Sequence, residues 1–534
     1  MSEFAQLLLA SLSLAGMAIA VGGVAFAGVV LRPDGTSREL FDAAMKRAKR
    51  IAAVGAIMLA LARIGNLAVV ASSYADPAAG SAARQLMSTD FARATLVQAL
   101  AAFALAWVLA SQRAAALRRR WLVPALLAAV VVSSGAWLTH AASRVEHATP
   151  LMLVTVLHQL AAAVWLGGLV QLALLWRLAR RHPGDRMLWP RSLARFSPLA
   201  LASVVLLIAA GAYLGVSYLG DWQALIGTGY GAMVLAKITL LGLALGLAAL
   251  NFSAVRRWRA NANLPAMTSN VPPCVEAEVA IVLCALLAAA SLTTQAPAID
   301  VAGERASMAD VAAFFAPKRP TLRPPPRDAF LAVATPAADA FAVPDTLERR
   351  QNTFNHNLAG LLVLMLGSAA ALDRIARIRL ARHWPLMFLP LAAFVFLFAE
   401  PTVWPLGPES FWRTLVSPAV LQHRLAALLV VALALAEWRA RSDRPATQRW
   451  RFAFPLLCIA GGAMLVTHAH TAYATRVEFL IELSHAALGL LAVMIGAGRW
   501  LDLRLPANAR QPAGVLWSSC LIVVGFVLLF YREY

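Results

Sequence analysis

The sequence predicts an all-α, polytopic integral membrane protein of about fourteen transmembrane helices. Of its 534 residues, 60% are hydrophobic and only 14% charged, and the mean hydropathy is +0.68. Together these values exclude an ordinary soluble globular domain. The length leaves room for well over ten spans of about 20 apolar residues with their connections. A formal net charge of +20 could suggest a nucleic-acid partner. Here, however, the Lys and Arg residues punctuate long apolar runs, and membrane topology accounts for them without nucleic acid.

Apolar runs of spanning length fall at roughly 5–31, 51–73, 91–111, 121–142, 151–176, 196–219, 230–254 and 276–296, an eight-helix half covering 1–297. A six-helix half, 353–534, follows with runs at 354–372, 384–400, 418–438, 452–470, 477–498 and 513–531. The first run resembles a secretion signal at Ala25-Phe26-Ala27, but it lacks a basic leader, carries Glu3 and is too long, so it reads as a retained helix. If that helix starts outside, the seven cytoplasmic loops hold 31 of the 47 Lys and Arg residues, and both termini lie outside. Dropping one helix would invert every later loop. Between the halves, 298–352 is Pro-rich, as in Arg323-Pro324-Pro325-Pro326-Arg327, and carries seven basic and seven acidic residues. It reads as an extended outer connection with one amphipathic piece near Asp310 to Phe315. The four cysteines stand alone, with no C-x-x-C pair and no disulfide framework implied.

This topology puts eight of the ten histidines at or near the outer face: His140, His147, His158, His356, His423, His468, His470 and His485. Imidazole near a membrane is costly unless paired or ligating, and metal binding, haem ligation and proton relay are its commonest specialised uses. Four of the eight open a shared pattern: His158-Gln159-Leu160-Ala161-Ala162, His356-Asn357-Leu358-Ala359-Gly360, His423-Arg424-Leu425-Ala426-Ala427 and His485-Ala486-Ala487-Leu488-Gly489. Each is expected one or two turns inside a helix that descends from the outer face. Small residues at i+3 or i+4 share the face of the His and let a neighbouring helix approach.

The halves echo one another. Thr139-His140-Ala141, Arg144-Val145-Glu146 and His158 recur as Thr467-His468-Ala469, Arg476-Val477-Glu478 and His485. Each half is expected to bring two imidazoles together at a hairpin. In the second, Glu478, Glu482 and His485 at i, i+4 and i+7 share one helix face, the acids serving either to orient metal ligands or as a proton relay. A helix-capping role with Arg476 explains Glu478 equally well. Arg63, Asn66 and Lys237 lie inside spans, where a bare charge is disfavoured. Snorkelling explains Lys237, and close packing explains Trp165-Leu166-Gly167-Gly168. Met152 and Met464 are candidate soft donors beside the histidines.

The stretch 154–252 resembles the copper resistance D (CopD) family of bacterial inner-membrane proteins. The resemblance rests on His158 with Ala162-Ala163-Val164-Trp165-Leu166-Gly167-Gly168, on Arg195-Phe196-Ser197, on Thr228-Gly229-Tyr230-Gly231 before Lys237, and on Asn251. The stretch from Asn355 to Arg439, with Trp404-Pro405-Leu406-Gly407 and Gln422-His423-Arg424, is similar to the C-terminal extension of longer members. The family implies copper handling in the inner membrane, copper uptake or resistance, and a separate periplasmic partner of the CopC type. Of the family's motifs only His158 carries over as a site residue. The expected metal ligands are therefore His140, His158, His356, His423, His468, His470 and His485, with Glu478, Glu482, Lys237, Met152 and Met464 in supporting positions. The chain has neither a Walker A sequence nor the phosphorylation sequence of a P-type pump, so an ATP-independent transporter is expected and not an enzyme. Two alternatives share the histidines: a b-type haem electron carrier, and a factor that delivers copper to a membrane oxidase.

Overall fold

The computed structural model describes residues 2–33, 35–73, 85–111, 121–182, 187–261, 264–293, 295–333, 345–376, 380–414, 418–441, 450–467 and 476–532. Apart from one isolated bridge between Val403 and Glu409, these residues form no β-structure. The chain divides into two units, Met1–Gly303 and Glu304–Tyr534, each with its own helical core.

The first unit contains α1 (Ser2–Ala25), α2 (Arg38–Ser73), α3 (Asp90–Ser111), α4 (Leu122–Ala136), α5 (Ala148–Ala179), α6 (Leu188–Leu219), α7 (Gly229–Asn261) and α8 (Leu264–Leu292). The second contains α9 (Asp345–Ile375), α10 (Phe388–Phe398), α11 (Pro418–Ala440), α12 (Ala453–Val466), α13 (Arg476–Arg504) and α14 (Gln511–Leu529). Among the described residues, eleven helical segments are long and apolar enough to cross a membrane. Each of the three other predicted spans is also helical: α4 and α12 are shorter, and α11 has 23 residues. The chain is thus an all-helical protein built as a multi-pass membrane protein.

Lipid is as apolar as leucine, so helices in a membrane are held together mainly by close packing and interhelical hydrogen bonds. In the first unit α1 is the central post. Met17, Ala18, Ala20 and Val21 pack with Ala52, Ala56 and Leu59 of α2, Ala102 and Leu105 of α3, Val131 of α4, and Ala163 and Leu166 of α5. The crossing of α1 and α5 depends on two glycines. A Cβ on Gly22 would lie 2.3 Å from the Ala163 carbonyl oxygen, and one on Gly167 would lie 2.1 Å from that of Ala18. Neither carbonyl can move without breaking its helix, so Gly167→Leu is expected to abolish the monodisperse folded protein in detergent. Gly242→Leu, at a position with nothing within 4 Å of the added Cβ, should elute as the wild type does.

In the second unit α9 packs on α14, α10 on α11 and α12 on α13. Its core gathers Leu366, Trp384, Phe388, Phe454 and Trp517. Gly462 and Gly489 each stand 2.7 Å, by a built Cβ, from the other's carbonyl oxygen, which brings α12 and α13 into close contact.

The expected extended connection, 298–352, is partly helical. A 3₁₀ segment, Ala298–Glu304, leads to a helix, Met308–Phe315, that covers the amphipathic piece. Ser307 starts this helix with a capping box: its hydroxyl accepts from Asp310 N at 3.2 Å, and Asp310 Oδ2 accepts from Ser307 N at 2.7 Å. A further short helix, Arg327–Val333, precedes α9. Because α5 and α9 begin in polar sequence ahead of their apolar runs, His158 and His356 lie roughly three turns inside their helices, deeper than hydropathy alone places them.

Candidate functional site

Two of the expected ligands are drawn together in the second unit. The rings of His356 on α9 and His485 on α13 lie 6.2 Å apart, edge to face, and His423 of α11 is within electrostatic reach of His356. Their Nδ1 atoms are engaged alike. His356 Nδ1 donates to the Asn352 carbonyl and His485 Nδ1 to the Ile481 carbonyl, both at 2.8 Å, while His423 Nδ1 meets Glu400 Oε1 at 3.0 Å. A carbonyl oxygen only accepts, so in the first two rings the proton resides on Nδ1 and the lone pair on Nε2. An oxygen acceptor at one ring nitrogen is the usual way a metal-ligating imidazole is oriented through the other. Tyr531 packs against both rings, at 4.2 Å from His356 and 6.4 Å from His485.

The loop before α11 supports His423. The cis peptide Trp404-Pro405 and Gly407 form a tight turn, and a Cβ on Gly407 would overlap the backbone of Thr402. The guanidinium of Arg424 donates to the Trp404 carbonyl and, at 2.7 Å, to the Phe396 carbonyl, and lies over the Phe396 ring. The two separate motifs of the extension therefore meet in space, with Glu400 just ahead of the first in sequence and against His423 in structure.

Other expected positions in this unit fare differently. Glu482 is buried on α13. His468, His470 and the side chain of Glu478 lie outside the described residues. Met464 is 61% exposed, because α12 turns Gly462, Ala463 and Val466 inward and position 464 falls on the opposite side. Among the described residues, no group of three or more His, Cys, Asp or Glu side chains forms a set that could hold a metal ion.

In the first unit the predicted pairing of His140 with His158 is replaced by separate environments. His140 Nε2 lies 3.1 Å from the Leu292 carbonyl and its ring contacts Tyr218, tying the loop after α4 to the end of α8. Arg144 reinforces that tie by binding Asp300 through both carboxylate oxygens, at 2.9 and 2.7 Å. His158 packs against α6, where a Cβ on Gly211 would lie 3.2 Å from its Cε1. Its Nδ1 is buried without a hydrogen bond, and Lys237 of α7 is within electrostatic reach. Met152 is half-buried and lies about 120° around α5 from His158, away from its face.

A deeper polar centre was not evident from the sequence. Glu278 of α8 is 1% exposed. It accepts from Trp165 Nε1 at 3.2 Å on Oε1 and from Asn251 Nδ2 at 2.8 Å on Oε2. All three border a cavity of about 290 Å³ whose remaining wall is almost wholly apolar, including Phe196, Leu201 and Leu245. Hydropathy placed Glu278 near the start of a span, the apolar run at 276–296. The helix instead runs from Leu264 through Pro272 and Pro273, and the signal that could have found the residue is a carboxylate two residues inside the apolar run. Trp165, taken as packing, is a donor to it, while Gly168 beside it makes room for the Phe196 ring.

A third feature binds the helix ends of the second unit. Arg499 donates to Glu437 Oε1 at 2.5 Å and to Asp502 Oδ2 at 2.8 Å. Arg374 also binds Asp502, at 2.9 Å, and Arg441 binds Asp373 at 2.5 Å. Trp517 Nε1 donates to Asp502 at 3.2 Å. Three arginines that the sequence counted as cytoplasmic surface charge therefore form a balanced, largely buried network with three acids.

Two comparisons with known proteins find a match. A family model described as copper resistance protein D matches residues 190–292. That stretch is α6 to α8, so it includes Asn251 and Glu278 and begins after His158 and Trp165. The copper transport protein CutJ of Bacillus subtilis (strain 168) is 30% identical over 174 residues, a stretch that is 33% of this chain and 30% of that protein. No solved structure matches the chain. Helices α6 to α8 thus match the copper resistance protein D family model, and the chain spans less than a third of the length of the curated relative it matches.

Proposed function

We propose that the chain is a bacterial inner-membrane copper transport protein that takes copper up, without ATP, from histidines near the periplasmic face. The observation that carries the reading is the facing pair of imidazoles His356 and His485, which, like His423, have Nδ1 held by an oxygen acceptor. Imidazole suits Cu(II) and tolerates Cu(I), and no thiolate motif is required. The family supplies the cargo. In this reading fourteen helices cross the membrane, eight before and six after the 298–352 connection, with both ends outside, and a separate protein of the CopC type donates copper there. Tyr531 fills the space beside His356 and His485, which favours a bare ion over a haem macrocycle between them.

The membrane potential supplies the driving force, about 2.3 kcal/mol per charge per 100 mV. Proteoliposomes with an inside-negative potential should take up copper faster than vesicles without one. Copper binding with no uptake would identify a delivery factor instead. The two units are not equivalent as copper sites, because the ammonium of Lys237 beside His158 opposes a cation there. His158→Ala is accordingly expected to weaken copper binding less than His485→Ala, as measured by equilibrium titration of the purified chain.

A further inference from the structure

The buried carboxylate of Glu278 has no role in a scheme that ends at the histidines. It lies inside α8, roughly four turns from either end, on the wall of an apolar cavity. A carboxylate in such a place is expensive and usually functional. Its partners are a neutral indole and a neutral amide, and among the described residues no Lys, Arg or His forms an ion pair with it. Cys274, one turn back on α8, is within electrostatic reach. The other titratable groups on the surrounding helices lie further along them. They are His158 and Arg177 on α5, Arg191, Arg195, Tyr213 and Tyr218 on α6, and Tyr230, Lys237, Arg256, Arg257 and Arg259 on α7; α1 offers only Glu3, at its start, and α8 itself adds Glu276 and Cys284.

Asn251 supplies a second observation. Its Nδ2 donates to Glu278 Oε2, but its Oδ1 is buried with no hydrogen-bond partner. An amide that turns over exchanges a donor for an acceptor at the same place. With Nδ2 toward Glu278 it satisfies the carboxylate; with Oδ1 toward Glu278 it accepts a proton carried on Oε2. The two protonation states therefore need no movement of the helices, and Trp165 holds Oε1 in both.

We propose that Glu278 is an intramembrane proton-binding site, switched between carboxylate and carboxylic acid by one proton, with Asn251 serving both states. Resting on the copper-transport reading, the exchange of that proton accompanies each passage of copper. No electron is moved: the proton is taken onto Oε2 and later released from it.

The full chain in lipid vesicles tests this in two steps. Infrared difference spectra between acid and alkaline pH should contain a carboxylic acid band that is lost in Glu278→Gln and retained, shifted, in Glu278→Asp. Copper uptake should change the vesicle pH in the wild type, and Glu278→Gln should lose that change while still binding copper. Absence of a Glu278 band overturns the proton site. Copper uptake with no pH change in the wild type overturns the coupling. If the band titrates and no copper moves, the transport reading fails and the proton site stands.

Discussion

Replacing Arg499 by Ala should lower the stability of the second unit by about 3–5 kcal/mol, the usual cost of removing one partner from a buried ion pair. Arg499 is 9% exposed, Asp502 5% and Glu437 0%. Its guanidinium bridges Glu437 of α11 to Asp502 of α13 and lies over the Trp517 ring. Truncation leaves Glu437 with only a 3.5 Å contact to Arg441 and Asp502 with Arg374 in place of two arginines, and a buried charge short of its partners is the expensive outcome. Arg499→Lys should recover part of the loss only, since an ammonium cannot span both acids as the planar fork does. Thermal unfolding in detergent, followed by circular dichroism, measures the effect. Arg93→Ala provides the contrast, because Arg93 and Asp90 are 68% and 74% exposed at 3.5 Å and such pairs contribute little. Equal melting temperatures for the two variants would contradict the structural role assigned to the network.

Glu400→Gln is expected to weaken copper binding by about 10–100-fold, the range found when a residue orienting a ligating imidazole is changed. The substitution keeps size and shape but removes the charge that fixes the His423 Nδ1 proton, so the ring loses its preferred tautomer. Glu400 and His423 are 30% and 47% exposed in their side chains, so the fold should tolerate the change. A loss of copper affinity with an unchanged melting temperature would distinguish ligand orientation from general destabilisation. Unchanged affinity would remove His423 from the site.

What the sequence made legible follows from which physical signal each feature leaves. Long apolar runs and flanking Arg residues mark helices strongly, and each of the fourteen runs coincides with a helix. Helix starts were less legible: α5 and α9 begin in polar sequence, and α8 passes through Pro272 and Pro273, neither of which hydropathy registers. The histidines of the second unit stood out by their repeated small-residue context, yet the oxygen atoms that orient them are main-chain carbonyls and Glu400, which leave no local pattern. Glu278 was hidden by the misplaced start of α8. The Arg374, Arg441 and Arg499 network was hidden because topology rules count charges and say nothing of their partners. Met464 is exposed because Gly462, Ala463 and Val466 take the inward side of α12, a choice that nearness in sequence to His468 does not fix.

The central claim is that copper is held by oriented histidines of the second unit. Elemental analysis of the purified full chain after copper loading and removal of excess tests it most directly, comparing the wild type with the variant carrying His356→Ala, His423→Ala and His485→Ala together. The account predicts bound copper in the wild type and its loss in the triple variant, with the melting temperature of the metal-free proteins alike. Equal copper content in the two proteins would contradict it.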